Sequence, residues 1–268
     1  MLRLEMPRRA TINESPQLAR LVGEAEREKG PLTIDCVKTE AWGPFGVALI
    51  ASCLAIRKRS GRDTELVAPT ADEAAEQFDE TGLPLLLSGE SAELNGEQVH
   101  PITMEAHEPS HELAAALSSP LSAAVQAAPA VVTPCLETLL DNLFEWSESS
   151  VGGFAVVRWH KKTRQVRLAL IDRGLGIPAV LRRSQVGNLI RASDVEAIEA
   201  AFSDPAVTSR PQGTEGLGLK QLRDNVLSHK GKLTVVSLGA KISWVGDKIT
   251  KSPSPALRGT AIEIDMSV

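Results

Sequence analysis

The sequence predicts an α+β protein made of two α/β units, one over residues 1–105 and one over 130–268, joined by a helical connector at 106–129. Three observations carry this expectation. Strand-like runs alternate with segments of helical spacing through the first ninety residues, the pattern of a layered α/β unit. Beyond residue 130 an amphipathic helix precedes a strand pair and two glycine clusters, the second of which opens another helix. With 268 residues, 43% apolar and 24% charged, the chain has room and hydrophobic content for two ordinary cores.

In order, Leu2, Leu4 and Met6 alternate with charged residues as a short strand does, and Pro7 ends the run. Ser15 is placed to cap a helix with Pro16 at its first position, carried by Leu18, Leu21 and Val22 to a stop at Gly30. Residues 31–37 read as a buried strand. Phe45, Leu49, Cys53 and Ile56 recur at helical spacing over 45–59, and the basic residues and Gly61 that follow suit a helix C-terminus. A strand at 64–67 and a helix at 71–79 capped by Thr70 complete the alternation. Residues 89–96 are polar and turn-like, and 113–128 form an alanine-rich helix broken by Pro120 and closed by Pro129. Apolar residues at 136, 139, 140, 143 and 144 give an amphipathic helix over 136–147. Strands at 154–159 and 165–171 flank a basic turn as a hairpin, a helix runs from 217 to about 228, and a strand at 261–266 closes the chain.

Composition excludes several classes. A net charge of -5 argues against a dedicated nucleic-acid binder. Cys36, Cys53 and Cys135 lie far apart within apolar runs and read as buried free thiols in a reducing compartment. No apolar run reaches the ~20 residues of a membrane span, and the first residues contain no signal-peptide core. The expected location is cytoplasmic. His107-Glu108-Pro109-Ser110-His111 spells a zinc-protease motif, but its proline removes a helical N–H and turns Glu108 away from helical geometry, so Ser110 reads as a helix cap.

Two stretches carry chemistry. Asp172-Arg173-Gly174-Leu175-Gly176 follows an apolar strand, so the carboxylate of Asp172 is placed to accept a hydrogen bond from an adenine amino group while the glycines let the backbone turn beside the ring. Gly213-Thr214-Glu215-Gly216-Leu217-Gly218 opens a helix, where glycines expose N–H groups to a phosphate chain. Upstream, Asn142 offers an oxygen donor suited to Mg²⁺.

With those residues in place, 130–268 resembles the GHKL superfamily, the Bergerat ATP-binding fold of gyrase, histidine kinases and MutL, closest to its anti-sigma-factor serine kinases. The helix of Asn142 resembles the N box, Asp172 to Gly176 the first glycine box, Gly213 to Leu219 the second, and Gly259-Thr260 the closing motif. The resemblance implies a sandwich of a mixed sheet and helices, with ATP and Mg²⁺ as ligands. It further implies that Asp172 holds adenine, Asn142 coordinates Mg²⁺, Gly174, Gly176, Gly213, Gly216, Leu217, Gly218 and Thr260 line the nucleotide, and 179–212 form a variable lid. Arg182, Arg183, Arg191 and Arg210 of that segment, with Lys220 and Arg223, are candidate phosphate contacts.

Residues 30–90 resemble the STAS fold of anti-sigma-factor antagonists through Leu32-Thr33-Ile34-Asp35-Cys36-Val37 and the helix opened by Pro44-Phe45-Gly46-Val47. Phe45 stands where regulated members carry a phosphorylatable hydroxyl, so no switching is expected there. A second departure bears on catalysis. Catalytic members of the GHKL group place a glutamate four residues before the N-box asparagine, as general base. This chain has Thr138 there, with Glu137 one residue earlier, a rotation of about 100° away. The expected function is a Mg-ATP-binding regulatory protein whose nucleotide state controls a protein partner, a homodimer being admissible, with little hydrolysis. An active ATPase or protein-serine kinase is the alternative, with Thr138 or Glu137 as its candidate catalytic residue.

Overall fold

Ten strands and nine α-helices are assigned among the described residues of the computed structural model. It describes all residues except 89–98, 105–108, 123–127, 161–162, 185–186, 205–206, 208–217 and 268, and all their side chains except those of 88, 122, 187 and 188. The N-terminal part runs β1 (Leu2–Glu5), β2 (Arg9–Ala10), a 3-10 turn at Ile12–Glu14, α1 (Ser15–Arg27), β3 (Leu32–Asp35), β4 (Ala41–Trp42), α2 (Pro44–Arg59), β5 (Thr64–Val67), α3 (Asp72–Glu80) and α4 (Leu83–Ser88). There follow β6 (Val99–Ile102), α5 (Ser110–Ser122), α6 (Ala128–Trp146), β7 (Gly153–His160) and β8 (Gln165–Asp172). The chain ends with α7 (Ile177–Arg183), a 3-10 turn at Gly187–Arg191, α8 (Asp194–Ser203), α9 (Gly218–Ser228), β9 (Lys232–Val245) and β10 (Lys248–Ser267).

β1, β3 and β5 pair in parallel in that order, and β2 pairs in parallel with β4. In the chain α1 lies between β1 and β3 and α2 between β3 and β5, and the two helices pack on each other. The second sheet has the order β6-β7-β8-β10-β9, and every neighbouring pair in it is antiparallel. The molecule is therefore mixed α and β, but the mixed sheet expected in the C-terminal unit is not observed. Its strands meet through the β7–β8 and β9–β10 hairpins, and β10 runs back beside β8. The boundary expected at residue 105 also falls after β6, which comes from the N-terminal part yet forms an edge of this second sheet.

Strand alternation divides the second sheet between two cores. Ala155, Val157, Leu168, Leu170, Ile262 and Ile264 face Leu136, Leu139, Leu140 and Leu143 of α6. Phe154, Val156, Ile171, Val236 and Ala261 point to the opposite face and share a core with Phe45, Leu49 and Ile50 of α2 and Leu18 and Val22 of α1. This explains why α2 is apolar nearly all round: it is buried between two sheets. Gly46 permits the contact, since a Cβ there would lie 2.0 Å from the carbonyl oxygen of Ala10. The two halves are thus packed on each other, and polar ties cross the seam from Arg158 Nη1 to the Trp42 carbonyl (2.6 Å) and from Lys241 Nζ to the Ile12 carbonyl (2.7 Å).

Helix starts correct three expectations. Ser15 lies inside α1 and gives no cap; Glu14 holds that position without a side-chain hydrogen bond. Thr70 does not cap α3, whose N-cap is Ala71, and its hydroxyl instead donates to the Val37 carbonyl. Pro129 does not close the preceding helix but is the second described residue of α6. The three cysteines are free and buried as expected, with thiol pKa values pushed up by burial to about 12, 12 and 11 for Cys36, Cys53 and Cys135. No helix among the described residues is long and apolar enough to cross a membrane.

Arg57 of α2 fastens the N-terminal part. It is fully buried and donates to the carbonyls of Ala25, Glu28, Gly30 and Asp63 and to Thr64 Oγ1, so its charge sits at the C-terminal end of the α1 dipole. Arg57→Met removes all five hydrogen bonds, the one to the buried Ala25 carbonyl among them, and the expected loss is about 3–5 kcal/mol of stability. Thermal unfolding checks it through a midpoint lowered by roughly 10 °C; a midpoint within ~2 °C of wild type contradicts it.

Candidate functional site

β8 ends at Asp172, whose side chain emerges on the α6 side of the sheet while that of Arg173, one residue on, emerges on the α1 side. The backbone then turns under close constraint. A Cβ on Gly174 would stand 1.7 Å from the carbonyl oxygen of Ser147, and Leu175 N donates to that same oxygen at 2.7 Å. Gly176 has φ +82° and leads into α7, where Ile177 N donates to Ser237 Oγ. Ser237 Oγ in turn donates to the Gly259 carbonyl at 2.9 Å and lies 3.2 Å from Thr260 Oγ1. The first glycine stretch is thereby fixed to the end of α6 and to the β9–β10 pair.

A cavity of about 480 Å³ opens between α6, the end of β8, α7 and the start of α9. This is the size of an ordinary small-molecule site. Leu170 and Ile262 supply a floor from the sheet, with Leu143, Ile177 and Leu181 beside them. Asp172 lines the cavity, is 6% exposed, and accepts from Gly174 N at 2.8 Å and from the backbone N–H of Thr260. Burial raises its pKa to about 6, against the lowering pull of those two hydrogen bonds and of the Arg173 charge. Such a carboxylate accepts strongly from a donor that replaces its lost water.

Asn142 lines the same cavity from α6, and its Nδ2 donates to the Thr138 carbonyl at 2.8 Å. That bond commits the amide nitrogen to the helix and leaves Oδ1 as the acceptor. Of the expected residues, Asn142, Asp172, Gly176, Gly218, Thr260 and Thr138 come together around one cavity from four separate stretches of chain. Gly174 is not in the wall and acts behind it, against Ser147. Gly213, Thr214, Gly216, Leu217 and Arg210 lie outside the described residues, as do His107 and Glu108 of the zinc-protease motif.

The catalytic candidates are less well placed. Glu137 does not line the cavity, and the hydroxyl of Thr138 donates to the Pro134 carbonyl of its own helix at 3.1 Å. The cationic candidates have other partners: Arg182 pairs with Asp194, Arg183 with Glu148, and both Lys220 and Arg223 with Asp224. Arg191 is exposed and also stands outside the wall. Much of the expected lid is structural. Ser193 and Glu196 form a reciprocal cap at the start of α8, whose Ile198 and Phe202 are buried in the core, with Phe202 stacked 5.1 Å from Trp244.

Asp141, Trp146, Gln221 and Ser237 line or brace the cavity, and sequence reading assigned none of them to the site. Asp141 had a signal, its place next to Asn142. Ser237 had none, being one polar residue inside a strand. No protein-family model matches this chain, and no curated protein is significantly similar to it. Among the described residues no group of three His, Cys, Asp or Glu side chains is placed to hold a metal ion. One amide oxygen beside a cavity fits a cation that draws its other ligands from phosphate and water.

Proposed function

We propose that the chain is a Mg-ATP-binding regulatory protein, its C-terminal unit of GHKL (Bergerat) type and its N-terminal layer STAS-like, with nucleotide state governing contact with a protein partner. The observation that carries this reading is the convergence of Asp172, Asn142, Gly176, Gly218 and Thr260 on one 480 Å³ cavity, although they are up to 118 residues apart, from Asn142 to Thr260. Asp172 meets the adenine amino group, the apolar floor meets the ring, and the α9 end of the cavity receives phosphates at a helix start. Asn142 Oδ1 would hold the Mg²⁺, which when bound neutralises phosphate charge. The helix that opens at Pro44 after β3 and β4 supports the STAS-like reading, and Phe45 leaves no hydroxyl there to phosphorylate.

Binding with little turnover follows from the positions of Glu137 and Thr138. One observation favours turnover as the second reading: Asp141 lines the cavity and is a carboxylate within it besides Asp172. Titration calorimetry with ATP and ADP, with and without Mg²⁺, tests both. Asn142→Ala is expected to weaken the Mg²⁺ complex about tenfold while changing metal-free binding little, with no phosphate released by either protein. Phosphate release that disappears in Asp141→Asn would establish an ATPase or kinase instead. Absence of binding in the wild type would end both readings.

A further inference from the structure

We infer that the ion pair between Glu26 of α1 and Arg173 sets how strongly Asp172 holds its ligand, which makes α1 a regulatory input to the cavity. This rests on the nucleotide reading of that cavity. Consecutive residues at the end of a strand point to opposite faces, so Asp172 faces the cavity and Arg173 reaches through the sheet to the N-terminal layer. The Arg173 side chain is 3% exposed, and its Nη2 pairs with Glu26 Oε1. Its Nε and Nη1 are buried with no hydrogen-bond partner among the described residues. A guanidinium so buried and so sparsely bonded depends on Glu26 for its neutralisation.

The surroundings leave few other charges to act on the pair. Arg173 N donates to Ser149 Oγ, which is neutral. From α2, Cys53 feels both Glu26 and Arg173, but its thiol is held protonated with a pKa of about 12. Arg57, also from α2, acts on Cys53 as well, and its bonds to the Ala25 and Glu28 carbonyls flank Glu26 and fix that turn of α1. The Arg173 charge lowers the Asp172 pKa against burial. Glu26 offsets part of that charge, so moving α1 away exposes Asp172 to more of it and favours the ionised, ligand-accepting form. By linkage, nucleotide binding must in turn weaken the hold of α1 on Arg173.

Arg173→Met and Glu26→Gln should therefore act in opposite directions, which a merely structural role cannot produce. In the free protein, carbon-13 NMR of labelled aspartate carboxyls should show the Asp172 midpoint moving up by about one pH unit in Arg173→Met and down by a smaller amount, about half a unit, in Glu26→Gln. Arg173→Lys, which keeps the charge, should stay close to wild type. Calorimetry with Mg-ATP at pH 5.5 should find Arg173→Met about eightfold weaker and Glu26→Gln about twofold tighter than wild type, with all three converging at pH 8. Shifts of the same sign in both variants, or equal losses at both pH values, overturn the proposal. Opposed NMR shifts without Mg-ATP binding by the wild type would instead sink the nucleotide reading alone.

Discussion

Asp172→Asn is expected to lose ATP binding by about a hundredfold while making the unliganded protein more stable. The loss follows from replacing a charged acceptor with a neutral one at the point where the ligand donates, a difference of about 1.5–3 kcal/mol for a buried charged hydrogen bond. The gain follows from the pKa. Asp172 titrates at about 6 in the folded protein against 3.8 for the free side chain. The folded state thus binds a proton more tightly than the unfolded state, and stability from this group is greatest below about pH 4. It declines as pH rises from 4 to 6 and is constant above, the total being of order 3 kcal/mol. Asparagine removes that penalty but leaves one of the two backbone donors, Gly174 N or Thr260 N, facing an amide NH₂. A net gain of about 1 kcal/mol at pH 7.5 remains.

Two measurements check this. Denaturant unfolding from pH 4 to 8 should give curves for wild type and Asp172→Asn that separate across pH 4–6. Glu263, raised to about 7 mainly by burial, contributes a similar decline to both proteins and cancels in the difference. ATP affinity of the wild type should fall about tenfold per pH unit below 6, beyond any trend that Asp172→Asn shows. Affinity that is equal in the two proteins at pH 7.5 would remove Asp172 from ligand recognition.

Gly174→Ala should abolish ligand binding and destabilise the protein by more than about 3 kcal/mol, for a reason other than φ. The added Cβ would stand 1.7 Å from the Ser147 carbonyl oxygen and 2.5 Å from its carbon, both backbone atoms at the end of α6. Neither side can yield without moving α6 away from the end of β8, which pulls Asn142 from Asp172. The Leu175 N to Ser147 bond goes with it. A thermal midpoint lowered by roughly 6–12 °C is expected. Gly61→Ala is the control: its φ is +66°, but nothing lies within 4 Å of the added methyl, so only the backbone penalty of about 1 kcal/mol applies. If Gly174→Ala behaves like Gly61→Ala, the packing of the glycine turn on α6 is not what holds the site together.

The sequence by itself determined many of the elements and several of the residues at the cavity. The strand at Thr64–Val67 and the helix over Pro44–Arg59 were legible because hydrophobic spacing and turn residues are local properties. Asp172 and Asn142 were legible because an acid after an apolar strand, before a glycine turn, is a short-range pattern. Capping was read less well: Ser15 and Thr70 have the right chemistry, yet the chain turned into the helix one residue away from where it would have served.

Tertiary structure alone decided which of these residues meet, and which face each serves. The sequence placed Glu137 and Asp141 on the same helix as Asn142, but only packing turned Asp141 into the cavity and left Glu137 out of it. It marked Arg182 and Arg183 as candidate phosphate contacts, whereas they found Asp194 and Glu148 once the chain was assembled; Lys220 and Arg223, marked likewise, pair with Asp224 within α9 itself. It separated two units, while α2, buried on both sides, packs them into one layered body. The physical reason is the same in each case. Backbone propensity and hydrophobic period act over a few residues, whereas burial, ion pairing and the close approach of Gly174 to Ser147 depend on residues that meet only after the chain has folded.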